Sequence, residues 1–170
     1  MNVAIDTNVL IWGLKAENQI KPRKTANQDV KEMQKRCGWL LDRLADEAHK
    51  VFISSIALGE ILTGIRRENH GSFVAELQRR FHIAEFDIPA SSLAARLWQD
   101  IPQNIAKEDR PERRCLHSDV MIVAAAKVAT CRQLYTHEPS VRKIAELAGM
   151  EAPDLPKGPH RLFPDPATQS

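Results

Sequence analysis

Acidic side chains are the residues of this chain whose types and places could do chemistry. Asp6 closes the short apolar run VAI at 3–5. Glu60 lies about one turn into the segment after the run VFIS at 51–54. Asp119 opens the apolar stretch DVMIVAAAKVA, and Glu138 follows QLYT at 133–136. If one crevice gathered these four, their like charges would repel, and a proton or a cation would have to compensate. Hard carboxylate oxygens select Mg²⁺ or Mn²⁺. Two such ions can stabilise the attacking and leaving oxygens of an in-line phosphoryl displacement. Water activated by the metal would then attack a phosphate, with no side-chain nucleophile needed.

Each acid also has an ordinary structural explanation. Asp6 can cap the helix that follows it. Asp119 can be a first-turn acid favoured by the helix dipole, and Glu138, just before Pro139, sits in the same kind of place. Glu60 shares a helix face with Ile56 and Gly64 and could stand on a solvated surface. Gly59 beside it, however, lowers helix propensity with no local gain. The four together carry more than any one alone.

Other chemistries find less support. Cys37, Cys115 and Cys131 have no Cys-x-x-Cys spacing and read as reduced, partly buried thiols. The six histidines include no His-x-x-x-His pair. His117 and His137 flank the acids, where a phosphate contact competes with the commoner exposed neutral imidazole. A haloacid-dehalogenase-type phosphatase needs a second aspartate two positions after the first, and Asn8 stands there. No G-x-x-x-x-G-K loop supports a nucleotide switch.

The elements that must position the acids follow from the apolar pattern. The run at 3–5 reads as a buried parallel strand, with Asp6, Thr7 and Asn8 capping a short helix through Leu14. Residues 15–24 read as an exposed basic loop broken by Pro22. Val30, Met33, Cys37, Leu40, Leu41, Leu44 and Ala48 mark one helical face. Strand 51–54 leads into a helix at about 55–68, another helix spans 72–81, and a third strand covers about 82–88. A helix at 91–101 is expected to stop at Pro102, followed by a polar loop at 102–116. Ser118 would then cap a helix starting at Asp119. Strand 133–136 and a helix at 139–148, ended by Gly149, complete the pattern.

Strands alternating with helices predict an α/β fold with a mostly parallel sheet covered on both faces. Ligands of such sheets bind beyond the carboxyl ends of the strands, where the four acids fall. The 170 residues suit one domain, here 1–150, followed by a C-terminal tail, 151–170, with a short edge strand near Leu162 and Phe163 and a disordered end. The formal net charge of +2 neither argues for nor excludes a polyanion. Lys21, Arg23 and Lys24 in one loop, and Arg110, Arg113 and Arg114 in the other, are candidates to grip a nucleic-acid backbone, against the ordinary reading of a solvated surface. No run approaches the roughly 20 apolar residues of a membrane span, and the N-terminus has no basic leader, so a cytoplasmic location is expected.

IDTNVLI at 5–11, SSIALGEILTGI at 54–65, HSDVMIVAAA at 117–126 and LYTHE at 134–138 together resemble the PIN-domain nucleases, especially the VapC-like toxins of bacterial toxin–antitoxin pairs. The resemblance covers most of residues 1–148. It implies a three-layer α/β/α fold with strand order 3-2-1-4-5 and Mg²⁺- or Mn²⁺-dependent cleavage of RNA. By motif, Asp6, Glu60 and Asp119 would be the core metal ligands. Thr7 and Asn8 follow the first acid as in the family, and Thr136 matches the hydroxyl preceding the fourth acid. That fourth acid is Glu138 where the family usually has Asp, and the loops 15–27 and 102–116 are longer than in its most compact members. The expected partners are an RNA substrate, a cognate antitoxin protein and a second copy of the chain. An RNA-processing or DNA-repair PIN nuclease, and a catalytically silent PIN-like scaffold that binds RNA, are the alternatives.

Overall fold

The structure, a computed structural model, describes residues 1–14, 28–109 and 113–158. Among these described residues are the strands β1 (Asn2–Ile5), β2 (Lys50–Ser54), β3 (His82–Ala84) and β4 (Gln133–Tyr135). Its α-helices are α1 (Thr7–Leu14), α2 (Gln28–Asp46), α3 (Ser55–Leu62), α4 (His70–Arg80), α5 (Ile88–Asn104), α6 (Arg113–Val128) and α7 (Pro139–Leu147). The sheet is wholly parallel, in the order β3-β2-β1-β4.

Side-chain alternation divides this sheet into two core faces. Val3, Ile5, Val51, Ile53 and Tyr135 join the core that includes Leu10, Leu14, Leu40 and Leu44 of α1 and α2. Ala4 and Leu134 point the other way, into a core with Leu97, Ile101, Val120, Val123 and Ile144 of α5, α6 and α7. Helices thus cover both faces, as continuous apolar strands require. At Gly13, an added Cβ would lie 2.4 Å from Leu41 Cδ1, so a side chain there would make Leu41 of α2 shift. Gly149, at φ +68°, takes the left-handed turn that ends the α7 segment.

The expected α/β architecture with a parallel sheet is present, and several boundaries differ from expectation. Among the described residues, a single parallel bridge, Gln133 to Glu151, stands beside β4, where order 3-2-1-4-5 puts the fifth strand. Leu162 and Phe163 lie outside the described residues. Helix α5 begins at Ile88, with Asp87 capping the Ala90 N–H at 2.9 Å, and runs past Pro102. A proline in the last turn removes only one donor, and the Ile105 N–H still reaches the Ile101 carbonyl at 2.8 Å.

The expected loop 102–116 is therefore short, because α6 starts at Arg113. Ser118 and Asp119 lie inside this helix, so neither caps it. Helix α3 ends at Leu62, and a separate 3₁₀ turn covers Arg67–Asn69. The start of the tail is held in place. Arg36 donates to the carbonyls of Leu155 and Pro156, Arg142 donates to Ala152 and pairs with Asp154 at 2.8 Å, and Leu155 is buried in the core. Among the described residues, no helix is long and apolar enough to cross a membrane.

Candidate active site

Strand register builds the floor of the site. Ile5 pairs with Ile53 and with Tyr135, so the next residue of each strand, Asp6, Ser54 and Thr136, emerges side by side at the carboxyl edge. Among the described residues these three are the buried polar ones. Their burial requires internal partners. Asp6 receives the Val9 N–H at 2.9 Å on Oδ1 and the Thr136 hydroxyl on Oδ2. Asp6 is thus the cap of α1 and a wall of the cleft at once. Thr136 also accepts the Glu138 N–H at 3.0 Å, which ties the segment after β4 to the same point.

The start of α1 contributes two more polar groups. Thr7 donates to Glu60 Oε2 at 2.6 Å, and Asn8 donates to Glu138 Oε1. Glu138 is the N-cap residue of α7 by position, yet its side chain makes no capping bond. Its carboxylate accepts from Asn8 instead, so side-chain capping does not explain it, although it still stands at the helix start. Glu60 is exposed on α3 and accepts a second hydroxyl, Ser118 Oγ, on Oε1. Asp119 comes next in α6, and its buried Oδ2 has no hydrogen-bond partner.

Electrostatics join these groups into one site. Burial pushes the Asp119 carboxyl up to about 7, and the charges of Glu138, Asp6 and Glu60 add to the rise. Burial also raises Asp6, opposed by the Thr136 and Val9 hydrogen bonds and reinforced by Glu138. The cleft they share, of about 260 Å³, is lined by all four predicted acids with Thr7, Asn8, Cys115, Ser118, Ile122 and Val141. Such carboxylates would be relieved by positive charge, and the donor set is oxygen, as Mg²⁺ or Mn²⁺ prefers. Among the described residues, no three His, Cys, Asp or Glu groups are gathered tightly enough to enclose a metal. The set therefore suits a cation that keeps several waters and takes one or two carboxylates directly. Asp6 and Asp119, the two acids raised by burial, could hold such a cation.

The other predicted residues fall differently. Lys21, Arg23, Lys24 and Arg110 lie outside the described residues. Arg113 and Arg114 belong to the first turn of α6, with their side chains outside the described part. His137 packs on Trp12 with ring centroids 4.3 Å apart, and His117 on Trp98 at 5.4 Å. Burial pushes the Cys37 and Cys131 thiols up to about 12, which disfavours their thiolate forms. Sequence reasoning missed the role of Ser118, since a serine before an apolar helix reads as a cap. Its place inside α6, three residues after Cys115 and four before Ile122 on the cleft-lining face, becomes visible only once the helix start is known.

No family model matches the sequence, and curated proteins give no significant match. Solved structures do match. A chain of the crystal structure of VapBC2 from Rickettsia felis bound to a DNA fragment from their promoter has TM-score 0.60 and 17% identity, over 91% of this chain and 98% of that one. A chain of VapBC-1 from nontypeable Haemophilus influenzae has TM-score 0.59 and 16% identity, over 91% and 98%. At these identities the likeness is one of fold, and the chain has the fold of those VapBC chains over nearly its whole length.

Proposed function

We propose that the chain is a Mg²⁺- or Mn²⁺-dependent endoribonuclease, the toxin of a toxin–antitoxin pair. One observation carries the reading. Asp119, with a buried Oδ2 that has no hydrogen-bond partner, shares a cleft with Asp6, Glu60 and Glu138 at the carboxyl edge of the parallel sheet. The fold shared with chains of two VapBC structures supports the toxin assignment and an antitoxin protein as partner; a second copy of the chain is proposed as a further partner.

Bound in the cleft, a divalent cation would supply Lewis-acid charge to the phosphate and make water nucleophilic near neutral pH. The chain's own residues fix the geometry. Thr136 and the Val9 N–H set the orientation of Asp6, and Asn8 sets that of Glu138. Asp119, bare on one oxygen, is ready to take positive charge without losing a hydrogen bond there. Glu138 reaches the cleft on a side chain one methylene longer than the family's aspartate, which suits a supporting role through water. The basic residues Lys21, Arg23, Lys24, Arg110, Arg113 and Arg114 are proposed to hold the RNA backbone, an interaction that weakens with salt.

Purified protein should cleave RNA with Mg²⁺ or Mn²⁺ and stop with EDTA. Asp6→Asn and Asp119→Asn should each lose most of the activity while staying folded, and cleavage retained by either would overturn the site assignment. The loose grouping of the acids favours a second reading, a silent RNA-binding domain. RNA binding without metal-dependent cleavage would establish that reading instead.

A further inference from the structure

Glu60 differs from the other three acids in how it is held. Thr7 of α1 donates to its Oε2 at 2.6 Å, and Ser118 of α6 donates to its Oε1. Neutral hydroxyls from two helices thus engage both oxygens of an exposed carboxylate that water could satisfy on its own. Asp119, the neighbour of Ser118 in the chain, differs, with one buried oxygen, Oδ2, that has no hydrogen-bond partner. The acids share one cleft, yet no three of them are gathered around one point among the described residues. A third carboxylate tied to hydroxyls accounts for this arrangement.

We infer that Ser118 is a positioning residue: with Thr7 it latches the Glu60 carboxylate away from the cation that Asp6 and Asp119 would hold. The inference rests on the cation reading of the cleft. Bringing Glu60 to that cation means giving up hydroxyl bonds on its oxygens, and part of the binding free energy is spent there. The helix interior offers Ser118 no helix-forming advantage over alanine. Ser118→Ala therefore removes one arm of the latch without removing a carboxylate. A single hydrogen bond to a charged but solvent-accessible group should change cation affinity by about three- to tenfold.

The experiment is a calorimetric titration of the full chain with MnCl₂, without RNA, for the parent, Ser118→Ala and Ser118→Thr. Circular dichroism and thermal melts confirm that each is folded. Ser118→Ala should bind Mn²⁺ about three- to tenfold more tightly than the parent, whereas Ser118→Thr, which keeps the hydroxyl, should bind like the parent. A loss of packing alone does not tighten a cation site. Parental or weaker binding by Ser118→Ala would overturn the latch and leave the cation reading standing. Tightening by Ser118→Thr equal to that of Ser118→Ala would also overturn it, by showing that the hydroxyl is not the cause. A parent that binds no Mn²⁺ would overturn the cation reading, and the latch with it.

Discussion

Replacing Asp119 by Asn should make the metal-free protein more stable, although it removes a carboxylate proposed to hold the cation. Burial, then the charges of Glu138, Asp6 and Glu60, lift this carboxyl from 3.8 to about 7. The native state therefore holds the proton more tightly than the unfolded chain. That contribution to stability is complete below pH 3.8, declines as pH rises from there, and is gone above about 7. About three pKa units at 1.36 kcal/mol each set a ceiling of about 4 kcal/mol. Incomplete burial screens part of it, so about 2–4 kcal/mol is expected. For a chain of this size that corresponds to roughly 4–10 °C in melting temperature. Asn keeps the shape, carries no charge, and offers an N–H₂ group to the surrounding carboxylates. Thermal melts in EDTA from pH 4 to 8 should show the variant well above the parent at pH 8 and close to it at pH 4. Adding Mn²⁺ should raise the parent much more than the variant. A variant no more stable than the parent at pH 8, or an advantage unchanged at pH 4, would refute the argument that repulsion and burial strain this cleft.

Further outcomes follow from single contacts. Thr136→Val removes the donor to buried Asp6 and the acceptor of the Glu138 N–H, and denaturant titration should show a loss of about 1–3 kcal/mol. Glu138→Gln keeps an acceptor for Asn8 and should lose less RNA cleavage than Asp6→Asn in parallel assays. Of the three cysteines, Cys115 is exposed in the cleft and Cys37 and Cys131 are buried, so a thiol reagent should label one site in the native protein and all three in denaturant. Arg36→Ala frees the carbonyls of Leu155 and Pro156, and limited proteolysis should then cut within 151–158 faster than in the parent.

The sequence made the central strand, the paired cores and the acids at strand ends legible because their signals are local. An apolar run ending in Asp6, and another ending in Thr136, announce buried strands with polar groups at their carboxyl edge. Helix starts were harder to read. Ser118 and Asp119 carry the composition of a cap and a first-turn acid, but α6 begins at Arg113, where basic residues mimic a loop. Pro102 looked like a stop because the local rule counts a lost hydrogen bond. Packing of Leu97 and Ile101 against α6 and α7 outweighs it. The contacts of Glu60 with Thr7 and Ser118 join residues 53 and 58 positions apart, and no local pattern encodes such pairs.

Soaking crystals of the protein in MnCl₂ and locating manganese by anomalous scattering tests the central claim most directly. The expected result is a peak in the cleft at bonding distance, about 2.0–2.3 Å, from carboxylate oxygens of Asp6 or Asp119, lost in Asp119→Asn. RNA cleavage by the same preparation with no manganese in that cleft, or with manganese held elsewhere, would contradict it.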